Sequence, residues 1–246
     1  LPHGSVVVSG TNGKTTTTRL IAQLLRAHRL RPMHNRAGAN LISGLVSAVV
    51  QQTSLGGAPQ ADVGLFEVDE ATLPAAIRLL QPRITLLTNV FRDQLDRYGE
   101  VQFIYDTWRR GLEALPSGNA LVLNADDPLV AALGQGQSNV LYFGLGDPSL
   151  GRDRPPHAAD ARLCLRCGSR YEVSVAFYGH LGFYHCPTCG LRRPDPQVVA
   201  TSCEFHGDAG TELRVETPAG RFSARLKLPG LYNVYNALAA TAVALG

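Results

Sequence analysis

Lys14 stands between Gly13 and four threonines in VVVSGTNGKTTTTRL, residues 6–20, and it is one of only two lysines among 23 basic residues. Three valines lead into Ser9, Gly10, Thr11, Asn12 and Gly13, and Lys14, Thr15 and Thr16 open the next segment. A buried strand, a glycine-rich turn and a helix starting at Lys-Thr form a phosphate cradle. The glycines let backbone N–H groups approach phosphate oxygens, and the helix N-terminus adds partial positive charge. Lys14 reaches the terminal phosphates as a compact ammonium, a task that a planar guanidinium fills poorly. The Thr15 hydroxyl is the expected Mg²⁺ ligand. Val8 occupies the place of the first glycine in G-x-x-x-x-G-K-[ST], so this is a variant of that loop.

Four of the five cysteines form two C-x-x-C pairs, Cys164/Cys167 and Cys186/Cys189, separated by residues 168–185. A glycine follows each pair, as in the knuckles of a tetrahedral zinc ribbon. Four thiolates close the coordination shell and leave no place for a catalytic water, so the Zn²⁺ site is expected to be structural. Cys203 lies further on and reads as a core or surface cysteine. His180 and His185 read as packing residues, and Tyr171, Phe177, Tyr178, Phe183 and Tyr184 as the ribbon's apolar cover.

These groups need elements to position them. The 246 residues are 45% hydrophobic and 17% charged, the composition of a globular chain with a substantial core. No run of 18 apolar residues is present, so no transmembrane helix is expected, and the first residues lack a basic-then-apolar leader pattern. A net charge of +3 is too mild to indicate nucleic acid. Strands are expected at 5–9, 63–68, 83–90, 119–124 and 139–145, and helices at 14–28, about 41–52, 73–80, 101–115 and 128–134. This alternation gives an α/β fold, a doubly wound, mainly parallel sheet with a P-loop. An inserted four-cysteine zinc ribbon at 160–195 and a small antiparallel β region at about 200–229 follow, and the last segment is helical. Ligands in such sheets sit beyond the carboxyl ends of the strands.

The loop GTNGKTT resembles that of the Mur ligase superfamily, whose members join carboxylates to amines through acyl phosphates. GLFEVDEA resembles the family's strand ending in a magnesium-binding glutamate, which is Glu67 here. A carboxylate at a strand's end beside a phosphate loop is also what Mg²⁺ binding requires. Asp69 and Glu70 compete for that role, with helix capping as the alternative for Asp69. TNVFRDQLDRYGE, 88–100, is similar to the family's T-N-x-x-x-D-H-x-D element, with Gln94 in place of the metal-binding histidine. Arg109 falls where many members carry a carbamylated lysine, and is expected to supply positive charge directly. LVLNADDP and LPGLYNVYNALAA complete the resemblance. Its second asparagine, Asn236, is the implied adenine contact, with helix capping as the alternative for Asn233 and Asn236.

RDQLDRYGE, GLYNVYNALAA and the cysteine insertion together resemble the MurT family of ligase subunits. The resemblance implies that residues 1–246 are the central ATP-binding domain of a longer protein whose C-terminal ligase domain is absent from this chain. The implied catalytic set is Lys14, Glu67 and Arg109. The implied nucleotide contacts are Gly10, Thr11, Asn12, Gly13, Lys14, Thr15, Thr16 and Asn236, with Mg²⁺ on Thr15 and Glu67. The implied activity is ATP-dependent amidation of the D-glutamate α-carboxyl of lipid II to D-isoglutamine. Ammonia would come from a GatD-like glutaminase partner, in the bacterial cytoplasm, with peripheral membrane contact through lipid II. A folate polyglutamylating ligase is the alternative enzyme. A nucleotide-dependent ribbon protein acting on nucleic acid through Arg166, Arg170, Arg192 and Arg193 is the alternative of another class. Asn35, Asn40 and Ser43, after a sheet strand, are candidates for the substrate side.

Cys164→Ser or Cys189→Ser is expected to lower zinc content and melting temperature together, with nucleotide affinity far less affected. Zinc analysis and thermal melts check this, and a zinc-free preparation of unchanged stability would refute it.

Overall fold

Val6 and Val8 pack against one helical layer and Val7 against the other, as the period of two in a strand demands. They belong to β1 (Ser5–Ser9), buried along its whole length. The structure, a computed structural model, describes residues 1–35, 38–92, 100–153 and 161–246. After β1 come α1 (Lys14–Ala27), β2 (Pro32–His34), α2 (Ile42–Gln51), β3 (Val63–Glu67), α3 (Leu73–Leu80), β4 (Ile84–Leu87) and α4 (Glu100–Leu112). The second half holds β5 (Ala120–Asn124), α5 (Pro128–Ala132), β6 (Val140–Leu145), β7 (Glu172–Tyr178) and β8 (Leu181–His185). It ends with β9 (Val198–Phe205), β10 (Thr211–Thr217), β11 (Gly220–Leu226) and α6 (Leu231–Leu245).

Nine strands form one sheet in the order β11-β10-β9-β6-β5-β4-β1-β3-β2. Pairing is parallel from β2 through β9 and antiparallel for β9–β10 and β10–β11. The expected antiparallel region is therefore the edge of the main sheet, because Phe143 to Leu145 of β6 pair in parallel with Val198 to Ala200. β2 was implied by the sequence only as a strand ahead of Asn35 and was given no range, since three residues beginning with proline carry almost no periodic signal. The strand expected over 83–90 stops at Leu87, and Thr88 and Asn89 turn into the loop beyond it.

α1 and α6 cover one face of the sheet through Ile21, Ala22, Val234, Leu238, Ala239 and Val243. α2, α3, α4 and α5 supply the apolar residues of the other face, among them Leu45, Ile77, Trp108 and Val130. The chain runs outward from β1 to β2, returns to β3, and then crosses to β4 on the far side of β1. That reversal puts the glycine turn at a topological switch point, where open α/β sheets leave a crevice.

β7 and β8 form a separate two-stranded hairpin between the cysteine pairs. It is fastened to the end of β5 by polar contacts. The Gly182 N–H donates to the Asp126 carbonyl (2.9 Å), and the Tyr184 hydroxyl to the Ala125 carbonyl (3.3 Å). Arg193, just beyond the second knuckle, donates through Nε to the fully buried Asp126 carboxylate and through Nη2 to the Leu145 carbonyl (2.8 Å). The same carboxylate accepts from the Tyr235 hydroxyl (2.7 Å) and the Leu145 N–H (2.9 Å). Burial pushes the Asp126 carboxyl up against the pull of Arg193, and burial drives Tyr235 well above the ordinary phenol range.

Arg193→Met keeps the aliphatic stem but leaves a buried carboxylate without its cation. Breaking such a pair costs about 3 kcal/mol or more, which lowers the melting temperature by at least about 6 °C in a domain of this size. Calorimetry checks this, and a shift below about 2 °C would show that the pair contributes little.

Candidate active site and metal centre

Two glycines of the turn have no room for a side chain. A Cβ on Gly10 would fall 2.0 Å from Thr88 Oγ1, and one on Gly13 2.2 Å from Asn236 Oδ1. Their φ angles, +145° and +86°, are also ones that L side chains rarely adopt. The close approach lets the segment after β4 hold the turn on several atoms. The Asn12 N–H donates to Asn89 Oδ1 (2.9 Å), and its carbonyl accepts from Asn89 Nδ2 (2.9 Å) and Thr88 Oγ1 (3.1 Å). The Thr11 N–H donates to the Asn89 carbonyl (2.9 Å), and the Thr11 hydroxyl accepts from the Phe91 N–H (3.0 Å). Thr88 and Asn89 are thus loop-holding residues, a role the sequence did not give them although it marked them as the end of a strand and as the start of the T-N-x-x-x-D-H-x-D-like element.

Lys14 Nζ donates to the Gly10 and Thr11 carbonyls and to Glu70 Oε1 (2.9 Å). Glu70 is held in turn by its 3₁₀ segment, whose carbonyl accepts from the indole N–H of the fully buried Trp108 (2.9 Å). Of the two carboxylates expected to compete with Glu67, Glu70 is the partner of Lys14. Asp69 caps the 3₁₀ turn through its backbone, its carbonyl accepting from the Thr72 N–H (2.9 Å), and its side chain makes no cap.

Glu67 ends β3 and is 4% exposed. Its Oε1 accepts from the Thr15 hydroxyl (2.9 Å) and Asn40 Nδ2 (3.0 Å), both neutral donors. Among the described residues no lysine or arginine lies within ion-pair distance of it. Buried carboxylates are paired or coordinate metals, so this one fits a cation shared with Thr15. The buried Asn40 Oδ1 beside it has no hydrogen-bond partner. Asn35 brackets Glu67 from behind, accepting from its N–H (2.9 Å) and donating to its carbonyl (2.8 Å). Asn35 and Asn40, taken from sequence as substrate-side candidates, are hydrogen-bonded to Glu67 and hold it in place. The Ser43 carbonyl accepts from the Ser47 hydroxyl within α2 (2.8 Å).

Beside the turn opens a cleft of about 360 Å³. Asn12, Gly13 and Asn236 form its polar end, and Phe91, Tyr178 and Leu181 stand on its apolar side. Asn236 accepts from the Thr17 hydroxyl (3.1 Å) and donates to Asn233 Oδ1 (3.2 Å), while Asn233 donates to the Pro229 carbonyl (2.7 Å). Asn233 therefore straps the start of α6, and Asn236 faces the glycine turn. Thr16 also lines this cleft. Arg109 is exposed on α4, one position past the buried Trp108, and its charge acts on the nearby Tyr105 hydroxyl. Among the described residues, no hydrogen bond joins Arg109 to the glycine turn. Gln94 lies outside the described residues.

The four cysteine Sγ atoms lie within 4.8 Å of one another, with Cys164–Cys189 at 3.5 Å and Cys167–Cys186 at 3.4 Å. A tetrahedral Zn²⁺ with bonds of about 2.3 Å sets its sulfurs about 3.8 Å apart, so the donor set and spacing fit zinc. The two knuckles share one backbone pattern: the Gly168 N–H donates to the Cys164 carbonyl (2.8 Å) and the Gly190 N–H to the Cys186 carbonyl (3.0 Å). Hydrogen bonding from the Ser169 backbone and side chain pulls the Cys167 thiol down to about 6. Tyr171 and Tyr184 cover the cluster with their rings edge to face at 5.1 Å. Phe177 and Leu181 turn away from it and join the main core.

Sheet order, glycine turn and strand-end carboxylate define a P-loop α/β domain. The sequence profile of the Mur ligase middle domain matches residues 8–183, and the chain belongs to the Mur ligase family. It is 32% identical over 238 residues to the MurT subunit of the glutamine-hydrolysing lipid II isoglutaminyl synthase of Staphylococcus aureus, covering 97% of this chain and 51% of that protein. Against the corresponding Streptococcus pneumoniae subunit it is 32% identical over 240 residues, covering 97% and 52%. The chain thus spans about half the length of the curated relatives it matches. A pseudomurein peptide ligase of type C from Methanothermus fervidus superposes with a TM-score of 0.76 at 28% identity, covering 98% of this chain and 46% of that one.

Gly13→Ala is expected to weaken ATP and inorganic triphosphate alike by at least about tenfold, the equivalent of 1.4 kcal/mol, by displacing the turn from Asn236. Gly118 has a similar φ of +88° but open space around it. Gly118→Ala should therefore cost only about 1 kcal/mol of stability and leave both affinities unchanged. Titration calorimetry on the two variants checks this, and equal effects would show that close approach is not what the loop requires.

Proposed function

We propose that this chain is the nucleotide-binding part of an ATP-dependent carbon–nitrogen ligase that amidates a carboxylate of a peptidoglycan precursor. The observation that carries the reading is Glu67, a buried carboxylate with only neutral partners among the described residues, 2.9 Å from the Thr15 hydroxyl beside a turn whose Gly10 and Gly13 leave no room for a Cβ. Gly10 to Thr16 would hold the phosphates through backbone N–H groups. Thr15 and Glu67 would hold Mg²⁺, which when bound supplies charge neutralisation between phosphate oxygens. Lys14 would exchange Glu70 for the γ-phosphate and meet the charge that develops there. Asn236 would read the base. Cys164, Cys167, Cys186 and Cys189 would hold Zn²⁺ in the inserted ribbon at 160–195.

Similarity to the MurT subunits supports a finer substrate reading. The D-glutamate α-carboxylate of the lipid II stem peptide attacks the γ-phosphorus, and the bond from that phosphorus to the β-bridging oxygen breaks. Ammonia then adds to the carbonyl carbon of the acyl phosphate, loses a proton, and inorganic phosphate departs, leaving D-isoglutamine. The ammonia would come from a glutaminase subunit of the GatD kind, in the cytoplasm, with the membrane reached through the lipid substrate. No helix of the described residues is long and apolar enough to cross a membrane. Arg109 is retained as an exposed cation for a partner domain or the substrate. The pairing of Arg193 with the buried Asp126 speaks against a nucleic-acid surface at the ribbon, since one of its four arginines is committed to an internal ion pair. No observation favours a folate substrate.

Lys14→Ala in the full-length protein is expected to reduce amidation about a hundredfold to a thousandfold, the usual loss for one preorganised charge partner, with zinc content and melting curve near wild type. Lys14→Arg should fail almost as badly. Mass spectrometry of lipid II incubated with ATP, glutamine and the glutaminase partner measures both. Retention of more than about a tenth of the rate by Lys14→Arg would contradict the cradle geometry.

A further inference from the structure

The tip of the β7–β8 hairpin and the cysteine cluster sit at opposite ends of one small element. Tyr178 and Leu181 are cross-strand partners joined by the two-residue turn Gly179-His180, and β8 then runs directly into Cys186. A strand of that length spans about 17 Å, so the metal site is remote from the tip. The tip is nevertheless part of the cleft beside the glycine turn, which Tyr178 and Leu181 line together with Asn12, Gly13 and Asn236.

The two tip residues are held differently. Leu181 is buried and packs in the core cluster that contains Val234 and Tyr235 of α6. Tyr178 is half exposed, with its ring edge against Phe91 at 5.5 Å. Phe91 is the residue whose backbone grips Thr11 of the turn, and a Cβ on Gly179 would fall 2.6 Å from its ring. An aromatic pair therefore stands over the apolar side of the cleft, one ring from the loop-holding segment and one from the hairpin. Next to it the buried His180 imidazole lies 4.6 Å from Phe91, ring centre to ring centre, and 3.2 Å from the Asp127 carboxylate. Asp127 in turn accepts from the Val90 N–H (2.8 Å). The hairpin tip and the loop-holding segment are braced against the same residues.

We propose that this tip, with Tyr178 as its contact residue, is the outer wall of the nucleobase pocket, so that metal in the cysteine cluster and nucleotide in the cleft strengthen each other's binding. The proposal rests on the nucleotide reading above and extends it to an element that the sequence assigned to structure alone. A two-stranded hairpin is marginal in isolation, and a metal held by four cysteines at its root fixes both strand ends. Loss of the metal loosens the tip about 17 Å away, and an open tip exposes the base to water. By thermodynamic linkage, nucleotide bound against the tip must equally retain the metal. This proposal and the sequence-based expectation that nucleotide affinity is nearly independent of zinc predict opposite outcomes of the same measurement.

The test titrates ATP and inorganic triphosphate, each with Mg²⁺, into zinc-loaded wild type, Tyr178→Ala and Tyr178→Phe, and into wild type stripped of zinc by a chelator. Tyr178→Ala should weaken ATP about tenfold or more, the scale of a lost aromatic–base contact, while triphosphate stays within about twofold and Tyr178→Phe restores ATP affinity. Zinc removal should weaken ATP selectively in the same way, and ATP should slow zinc extraction by a chromogenic chelator more than triphosphate does. Unchanged ATP affinity in Tyr178→Ala, or equal loss of both ligands, overturns the proposal while leaving the nucleotide reading intact. If stripped protein unfolds, the Tyr178 variants decide alone. Wild type that binds neither ligand overturns the nucleotide reading itself, and this proposal with it.

Discussion

Two missing Cβ atoms shape the site. At Gly10 and Gly13 the backbone comes so close to Thr88 and Asn236 that any side chain would collide. Because nothing intervenes, Asn89 can hold both the N–H and the carbonyl of Asn12, and Asn236 can face Gly13 across a sequence separation of more than two hundred residues. Three elements distant in sequence, the ends of β1 and β4 and the start of α6, meet in one small space. The helix that begins at Lys14 inherits its direction from that meeting. A loop held this way presents its N–H groups without reorganisation, which is the condition for electrostatic work on a phosphate.

The buried carboxylates divide by the partners they receive. Asp126 has a guanidinium, a phenol and an N–H, and serves to join the ribbon, β6 and α6. Asp127 caps α5 through the Leu129 N–H (2.9 Å) and steadies Val90 beyond β4. Glu67 alone of the three is left with an alcohol and an amide. A buried charge without a cation of its own fits one from outside, and the Thr15 hydroxyl is the neighbouring oxygen that could share it. The Lys14–Glu70 pair, with side chains 12% and 20% exposed, is a different case. It keeps an ammonium at the mouth of the loop rather than stabilising the fold.

The cysteine insertion is tied to the site more closely than its separate hairpin implies. Its root is a metal cluster covered by two tyrosines, its flank is bonded to Ala125 and Asp126, and its tip stands on Phe91. The ties at Ala125 and Asp126 and at Phe91 fall past the carboxyl ends of β5 and β4, the edge along which open α/β sheets collect their ligands.

Much of this was legible in the linear chain. The valine run, Gly-Lys-Thr and the strand–helix alternation set the sheet and its phosphate loop, because period and turn chemistry are local properties. The two C-x-x-C pairs announced their cluster for the same reason. Glu67 was singled out by the family resemblance of GLFEVDEA together with its place at the end of an apolar strand beside the phosphate loop. Tertiary structure alone decided what faces what. It put Glu70 on Lys14, gave Asn35 and Asn40 to Glu67, paired Arg193 with the buried Asp126 and brought Tyr178 to the cleft beside the glycine turn. It also joined the antiparallel strands to the main sheet through β6 and β9. Each of these depends on pairs far apart in sequence, whose contact follows from strand order and helix packing rather than from any local spacing. Residue types and periods determined which groups could do chemistry, and the topology of the sheet determined which of them meet.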